Sequence, residues 1–300
     1  MSIAKRYAEF AGDEVNKALL EFLSNDAFDQ YALDLVLDKK IVQLDDQQFE
    51  WLLSALADRA SSLSSIVLRY HNITDKSLQL LSQQLPLLKS LLTIDVLGCN
   101  IAGEAVPDLL NSISSSNVRI LILSGNHLDK DVGIRIGEEL AYCPLKILEM
   151  ADCGLTSKGL ISIFKHIVSE NCQIRKLDIS GCEQFTPEQY ICEHIEYALQ
   201  QCPKLERLHL RKVGLRDYGL TRVIEGVTKS PNMKYLDVAA NKLSRDAAKI
   251  VTPCTRTLET IDLSNNNIDN EGGVTLAKNL IEPGCTIHTL GLTSCNIEEA

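Results

Sequence analysis

The stretch "LETIDLSNNNI", residues 258–268, decides the fold. Its asparagines run on into Asp269, and amide and carboxylate oxygens are what a hard cation prefers, so a helix-loop calcium site is the first reading to test. Counted from Asn265, ligand positions one, three and five are Asn265, Asn267 and Asp269, which fit. Position six is Asn270 where the template needs Gly, and position twelve is Leu276 where it needs a bidentate Glu. The calcium reading fails. The apolar residues supply another rule: Leu258, Ile261, Leu263, Asn266 and Ile268 obey L-x-x-L-x-L-x-x-N/C-x-L. Within it, period-two alternation turns Ile261 and Leu263 to one side of a short strand and Asp262 and Ser264 to the other.

The same pattern recurs. It starts at residues 63, 91, 118, 145, 174, 205, 233, 258 and 287, nine units with a mean spacing of 28 residues. Asn126, Asn241, Cys99, Cys153, Cys182 and Cys295 take the N/C position in other units, while His71 takes it in the first and Val213 in the sixth. The unit at Ile174/Leu177/Ile179/Cys182 runs one residue long before Phe185. Between strands lie segments with apolar residues at three-to-four spacing: 74–85, 156–170, 186–201 and 216–230. Their starts carry capping residues, namely Thr74, Thr156, Thr186 with Pro187, Ser244 and Asp269. Gly133, Gly159, Gly219 and Gly272 recur early in these helices, where a side chain is expected to hold the helix off the strand layer.

This chain resembles the leucine-rich-repeat family, and the repeat length resembles its ribonuclease-inhibitor-like class, which puts a full helix in each unit. The resemblance covers residues 63–297. It implies an α/β solenoid shaped as a horseshoe, with parallel strands on the concave face and helices on the convex face. One unit cannot bury its leucines alone, so stability comes from stacking. Residues 1–62 read as a helical N-terminal cap, with two helical pieces broken at Gly12, the second capped by Asp13, and a degenerate repeat at Ala32/Leu35/Leu37. Residues 63–300 read as the repeat domain of about nine units. The ninth has its strand but no helix, so further repeats or another module are expected to follow residue 300.

A formal net charge of −10 and a pI of about 5.2 argue against a nucleic-acid backbone as the main partner. The first 15 residues contain no apolar signal core, and no uncharged apolar run approaches a membrane span of roughly 18 residues. The ten cysteines therefore read as reduced thiols of a cytoplasmic protein, and Asn72-Ile73-Thr74 as an unused glycosylation sequon. Nine of the ten cysteines fall at repeat-register positions, Cys192 excepted, and no C-x-x-C pair exists. The six histidines form no H-x-x-x-H or H-E-x-x-H pair, and no phosphate loop or nucleophile elbow appears. The expectation is a non-enzymatic protein with no cofactor and no metal site.

What remains is surface. Strand residues flanking the leucines face the concave side, which solenoids use for binding. The expected partner site has an apolar N-terminal part, Val67, Tyr70, Leu97, Ile120, Ile122 and Ile147, as inward-facing strand residues. Its C-terminal part is charged: an acidic row of Glu149, Asp152, Asp178, Asp237 and Asp262, interrupted by Arg207, His209, Arg211 and Lys212, with Tyr235 beside them. The reading is a scaffold, monomeric as this chain, that grips another protein through an apolar anchor and orients it by charge. Regulation of an enzyme or small GTPase, and a cytoskeletal, centrosomal or ciliary role, are the alternatives that the resemblance implies; no motif here transfers the GTPase-activating or inhibitory activity of relatives.

Overall fold

A computed structural model of the chain describes residues 2–24, 34–37, 42–186 and 190–298. Ten three-residue strands form a single parallel sheet in strict sequence order. They are β1 Asp34–Val36, β2 Ser65–Val67, β3 Thr93–Asp95, β4 Ile120–Ile122, β5 Ile147–Glu149, β6 Lys176–Asp178, β7 Arg207–His209, β8 Tyr235–Asp237, β9 Thr260–Asp262 and β10 Thr289–Gly291. The helices are α1 Ile3–Ala11, α2 Lys17–Leu23, α3 Asp46–Ala55, α4 Asp75–Gln84, α5 Val106–Ser114, α6 Val132–Leu140, α7 Ser157–His166, α8 Ile191–Gln201, α9 Arg216–Lys229, α10 Ala247–Ile250 and α11 Asp269–Leu280. From β2 onward, every L-x-L pair read from the sequence becomes a strand whose central apolar residue is buried or, in β10, partly buried. Register aligns the units residue for residue: Ile66, Ile94, Leu121, Leu148, Leu177, Leu208, Leu236, Ile261 and Leu290 lie side by side.

Horseshoe curvature follows from two spacings. Neighbouring strands sit about 4.8 Å apart, whereas packed helices need about 8–10 Å, so the strand side must become the inner arc. One sheet face is thereby packed on helices, and the other is left open to solvent.

Two rows of the turn after each strand hold the units in step. The first has left-handed φ in all nine units, at Tyr70, Gly98, Gly125, Asp152, Gly181, Lys212, Ala240, Asn265 and Ser294. In that conformation each N–H from Tyr70 to Asn265 reaches the carbonyl of the next unit, as Tyr70 N–H does to Leu97 O at 2.8 Å and Asn265 N–H to Thr293 O at 2.8 Å. The second row is the N/C position. Asn241 Nδ2 donates to Leu210 O at 2.7 Å and to Ala239 O, while its Oδ1 accepts from Val213 and Leu215 N–H at 3.1 Å each. Asn126 and Asn266 bond likewise. Cys99, Cys153 and Cys295 donate weakly from Sγ to the preceding unit at 2.9–3.2 Å. His71 does the same work toward β1: its Nδ1 accepts from Leu44 N–H at 3.1 Å and its Nε2 lies 3.2 Å from Leu37 O.

Some local expectations are corrected. Asn16, not Asp13, caps α2, because its side chain accepts from Leu19 N–H at 3.1 Å while Asp13 lies in a 3-10 turn. Thr74 and Thr156 do cap α4 and α7. The helix expected over 186–201 is described from Ile191, and Pro187 and Ala32 lie outside the described residues. At Gly133 and Gly159 the close approach is to a neighbouring helix and not to the strand layer: a Cβ on either would come within 2.9 Å of the other's Cα, so they let α6 and α7 touch.

Candidate interaction surface on the concave face

Three residues of each unit project from the open face: one before the buried strand residue, one after it, and one two positions further on. Register assembles them into rows. The first row reads Ser65, Thr93, Ile120, Ile147, Lys176, Arg207, Tyr235, Thr260 and Thr289. The second reads Val67, Asp95, Ile122, Glu149, Asp178, His209, Asp237, Asp262 and Gly291 in the same pairings. The third carries Arg69, Leu97, Ser124, Ala151, Ser180, Arg211, Ala239, Ser264 and Thr293. Of the sixteen residues expected from sequence, thirteen lie in these rows; Tyr70, Asp152 and Lys212 do not. Tyr70 occupies the left-handed turn position at φ 63°, and its ring covers Gly98, where a Cβ would lie 2.4 Å from Cδ1. Asp152 and Lys212, read with the charged row, sit at the same turn position and not on the strands.

Side by side and half-buried, Ile120, Ile122 and Ile147 span β4 and β5. Val67 is also half-buried but is separated from Ile122 in the second row by Asp95, and half-buried Leu97 stands in the third row between Arg69 and Ser124. Asp95 itself is 1% exposed, held by the Arg69 guanidinium at 2.6 Å and by Leu97 N–H at 3.1 Å. The Asp95 hydrogen bond and charge push the Arg69 guanidinium above its ordinary value.

The acidic row is engaged within the sheet. Asp95, Asp178, Asp237 and Asp262 each accept the N–H two residues on, from Leu97, Ser180, Ala239 and Ser264 at 2.9–3.1 Å, which satisfies the backbone where the strand ends. Ion pairs engage Asp95, Asp237 and Asp262 further, and Glu149 beside them. Lys176 Nζ meets Glu149 at 2.6 Å, and Arg211 bridges Asp237 at 3.4 Å and Asp262 at 3.1 Å. His209 Nδ1 lies 3.8 Å from Asp237, and its ring packs on Tyr235 with centroids 4.7 Å apart. Burial alone would raise the Asp237 carboxyl; the nearby His209 ring, the Ala239 N–H bond and the Arg211 guanidinium outweigh it and hold the carboxyl below its ordinary range. Burial, then the Asp237 and Asp262 charges, push the Tyr235 phenol up.

Sequence reading named Arg211 and His209 but missed Arg69 and Lys176. Lys176 stands one residue before Leu177, where Ile120, Ile147, Arg207 and Tyr235 stand before theirs, so register alone could have found it. The cysteines offer no reactive thiol to this face: Cys99 is pushed up to about 11 and Cys153 and Cys182 to about 12, burial being the main cause. Among the described residues, no group of three or more His, Cys, Asp or Glu is arranged to hold a metal ion. No helix among them is long and apolar enough to cross a membrane.

Comparison with known proteins agrees with the repeat geometry. A family model described as Leucine Rich repeat matches residues 143–164 and 255–277. A mouse protein, "NACHT, LRR and PYD domains-containing protein 9C", is 27% identical over 75% of this chain and 22% of its own length. The pig ribonuclease inhibitor is 27% identical over 57% of this chain and 37% of its own length. The chain thus spans well under half of either relative. In a solved complex of Rad7 and Elc1 from yeast, a chain superposes with a TM-score of 0.51 at 17% identity, covering 82% of this chain and 65% of that one.

Proposed function

We propose that this chain, a leucine-rich-repeat protein of the ribonuclease-inhibitor-like class, is a non-enzymatic scaffold that binds a protein partner on its concave face. The observation that carries the reading is the contiguous, half-exposed cluster of Ile120, Ile122 and Ile147 on a sheet face with no covering layer among the described residues. Covering the part that is still exposed recovers a fraction of the roughly 1.5–3 kcal/mol that full burial of such a side chain is worth. Charged units from β6 to β9 flank the anchor and orient what it holds. Residues 1–62 serve as the cap on the first repeats, with Asp46 accepting from Thr74 N–H at 2.8 Å and from Ser77 Oγ at 2.5 Å to fasten α3 to α4. A cytoplasmic protein is the reading that ten free thiols, nine of them buried, support.

Non-enzymatic action is favoured because the side chains best suited to chemistry have structural duties: His71 and the cysteines in the turns, His209 and Asp237 in an ion-paired cluster. The ribonuclease-inhibitor relative favours one second reading, inhibition of a partner enzyme by the same face. Affinity capture with the intact chain, repeated with Ile122→Asp/Ile147→Asp, tests the binding reading. Partners held by the wild type and lost by the variant are the expected result, and an unchanged set of captured proteins contradicts it. A ribonuclease-inhibition assay on the wild type decides the second reading.

A further inference from the structure

Composition hides a charge asymmetry on the concave face. The chain carries a formal −10, yet the rim just before β4, β5 and β6 holds Arg119, Lys146 and Arg175 in succession. A backbone ladder ties them: Lys146 N–H donates to Arg119 O and Arg175 N–H to Lys146 O, each at 2.8 Å. Directly inside this rim, Ile120, Ile147, Lys176 and Arg207 stand side by side in register. Three carboxylates border the strip, and all are engaged. Glu149 is held by Lys176 at 2.6 Å, Glu206 by Arg175 at 2.8 Å, and Asp178 accepts Ser180 N–H at 2.9 Å. Beyond Arg175 and Lys176, three cations are not matched in return. Among the described residues, the Arg119 guanidinium donates to the Ser116 and Val118 carbonyls and forms no ion pair. Lys146 and Arg207 are exposed and form no ion pair among the described residues.

We propose that this strip across β4–β7 binds an extended segment of a partner protein bearing an apolar side chain and, about three residues further along, acidic ones. The proposal rests on the reading of the concave face as the binding face and gives that face a charge preference. Two strand spacings separate the isoleucine pair from the Lys176–Arg207 pair, about 10 Å. An extended chain advances about 3.3 Å per residue, so about three residues span the gap. The isoleucines supply desolvated anchor area, and the Arg207 and Lys146 cations supply steering and charge-assisted hydrogen bonds to carboxylates. A nucleic acid fits less well, because the strip sets two isoleucines and three carboxylates against a phosphate backbone and has only the Tyr235 phenol beside Arg207 among the described residues of its row. A basic partner, which the acidic row invites on sequence, finds those acids already bonded.

A random dodecapeptide library displayed against the intact chain, with enriched peptides resynthesised and measured by fluorescence polarisation, tests this. The expected result is enrichment of peptides combining Leu, Ile or Phe with Asp or Glu, whose lysine-substituted counterparts do not bind. Lys146→Glu/Arg207→Glu is expected to weaken them by about tenfold or more, and binding to weaken severalfold between roughly 50 and 300 mM salt. Enrichment of basic peptides, no enrichment at all, or tighter binding of a single-stranded oligouridylate overturns the proposal. Ile122→Asp/Ile147→Asp separates the two levels. Peptides weakened by the isoleucine variant but not by the charge reversal sink the acidic preference and leave the concave reading standing; peptides indifferent to both sink both.

Discussion

Between β2 and β5 the open sheet face presents half-exposed Val67, Ile120, Ile122 and Ile147, whereas between β6 and β9 it presents Asp178, His209, Arg211, Asp237 and Asp262 bonded to the backbone and to one another. The charged half looks like the recognition surface when residues are merely counted. In three dimensions its carboxylates terminate strands and answer neighbouring guanidinium and ammonium groups, which leaves them little to offer a partner. The isoleucines have no such internal duty. Availability for binding is therefore set by what a side chain already touches, and here the quieter half has more of it.

The comparison breaks first at the isoleucines. Ile122→Asp/Ile147→Asp is expected to lower affinity for peptides selected on the wild type by about a thousandfold or more, near 4 kcal/mol, with the melting temperature little changed. Isothermal calorimetry beside a thermal melt checks both. Behind the two halves the turns also differ: Cys153 serves the unit of β5, Asn241 that of β8. Asn241→Ala strands two carbonyls and two N–H groups and should cost roughly 3 kcal/mol, while Cys153→Ala should cost about 1 kcal/mol, read by urea unfolding.

Asp237→Asn loosens the ion-paired half and should cost about 2 kcal/mol at neutral pH. The sign with pH follows from a folded carboxyl held below its ordinary 3.8: its stabilisation is complete above that value and is lost as pH falls through the lower, folded one. Acid unfolding of the Asn variant should therefore be flatter over that window than the wild type's. Asp46, whose carboxyl is also held low because bonds from Ser77 and Thr74 outweigh its burial, contributes acid sensitivity of the same sign. Smallest of all, Glu149→Gln removes one partly exposed ion pair and should change stability by less than about 1 kcal/mol.

The fold was legible because its signal is local. Leu258, Ile261 and Leu263 declare a strand within six residues, and repetition multiplies that signal along the chain. The left-handed turn row was only half legible. Gly98, Gly125 and Gly181 mark it, but Tyr70, Asp152 and Lys212 hide it, which is why these three were placed with the strand faces. Neighbouring units tolerate such residues because the N–H to the next repeat is satisfied only in that conformation. The site was less legible still. Arg69 with Asp95, Glu149 with Lys176 and Arg211 with Asp262 are 26, 27 and 51 residues apart in sequence, and only the stacking register brings each pair together. A residue's register predicts its row; its neighbours on the next unit decide whether its charge is free.

The most direct measurement is methyl NMR on chain labelled at the isoleucine δ1 positions, titrated with peptides selected on the wild type. The account predicts shifts concentrated at Ile120, Ile122 and Ile147, with the core isoleucines Ile113 and Ile163 of α5 and α7 unmoved. Shifts gathered on the helices, with the three sheet isoleucines silent, would contradict it.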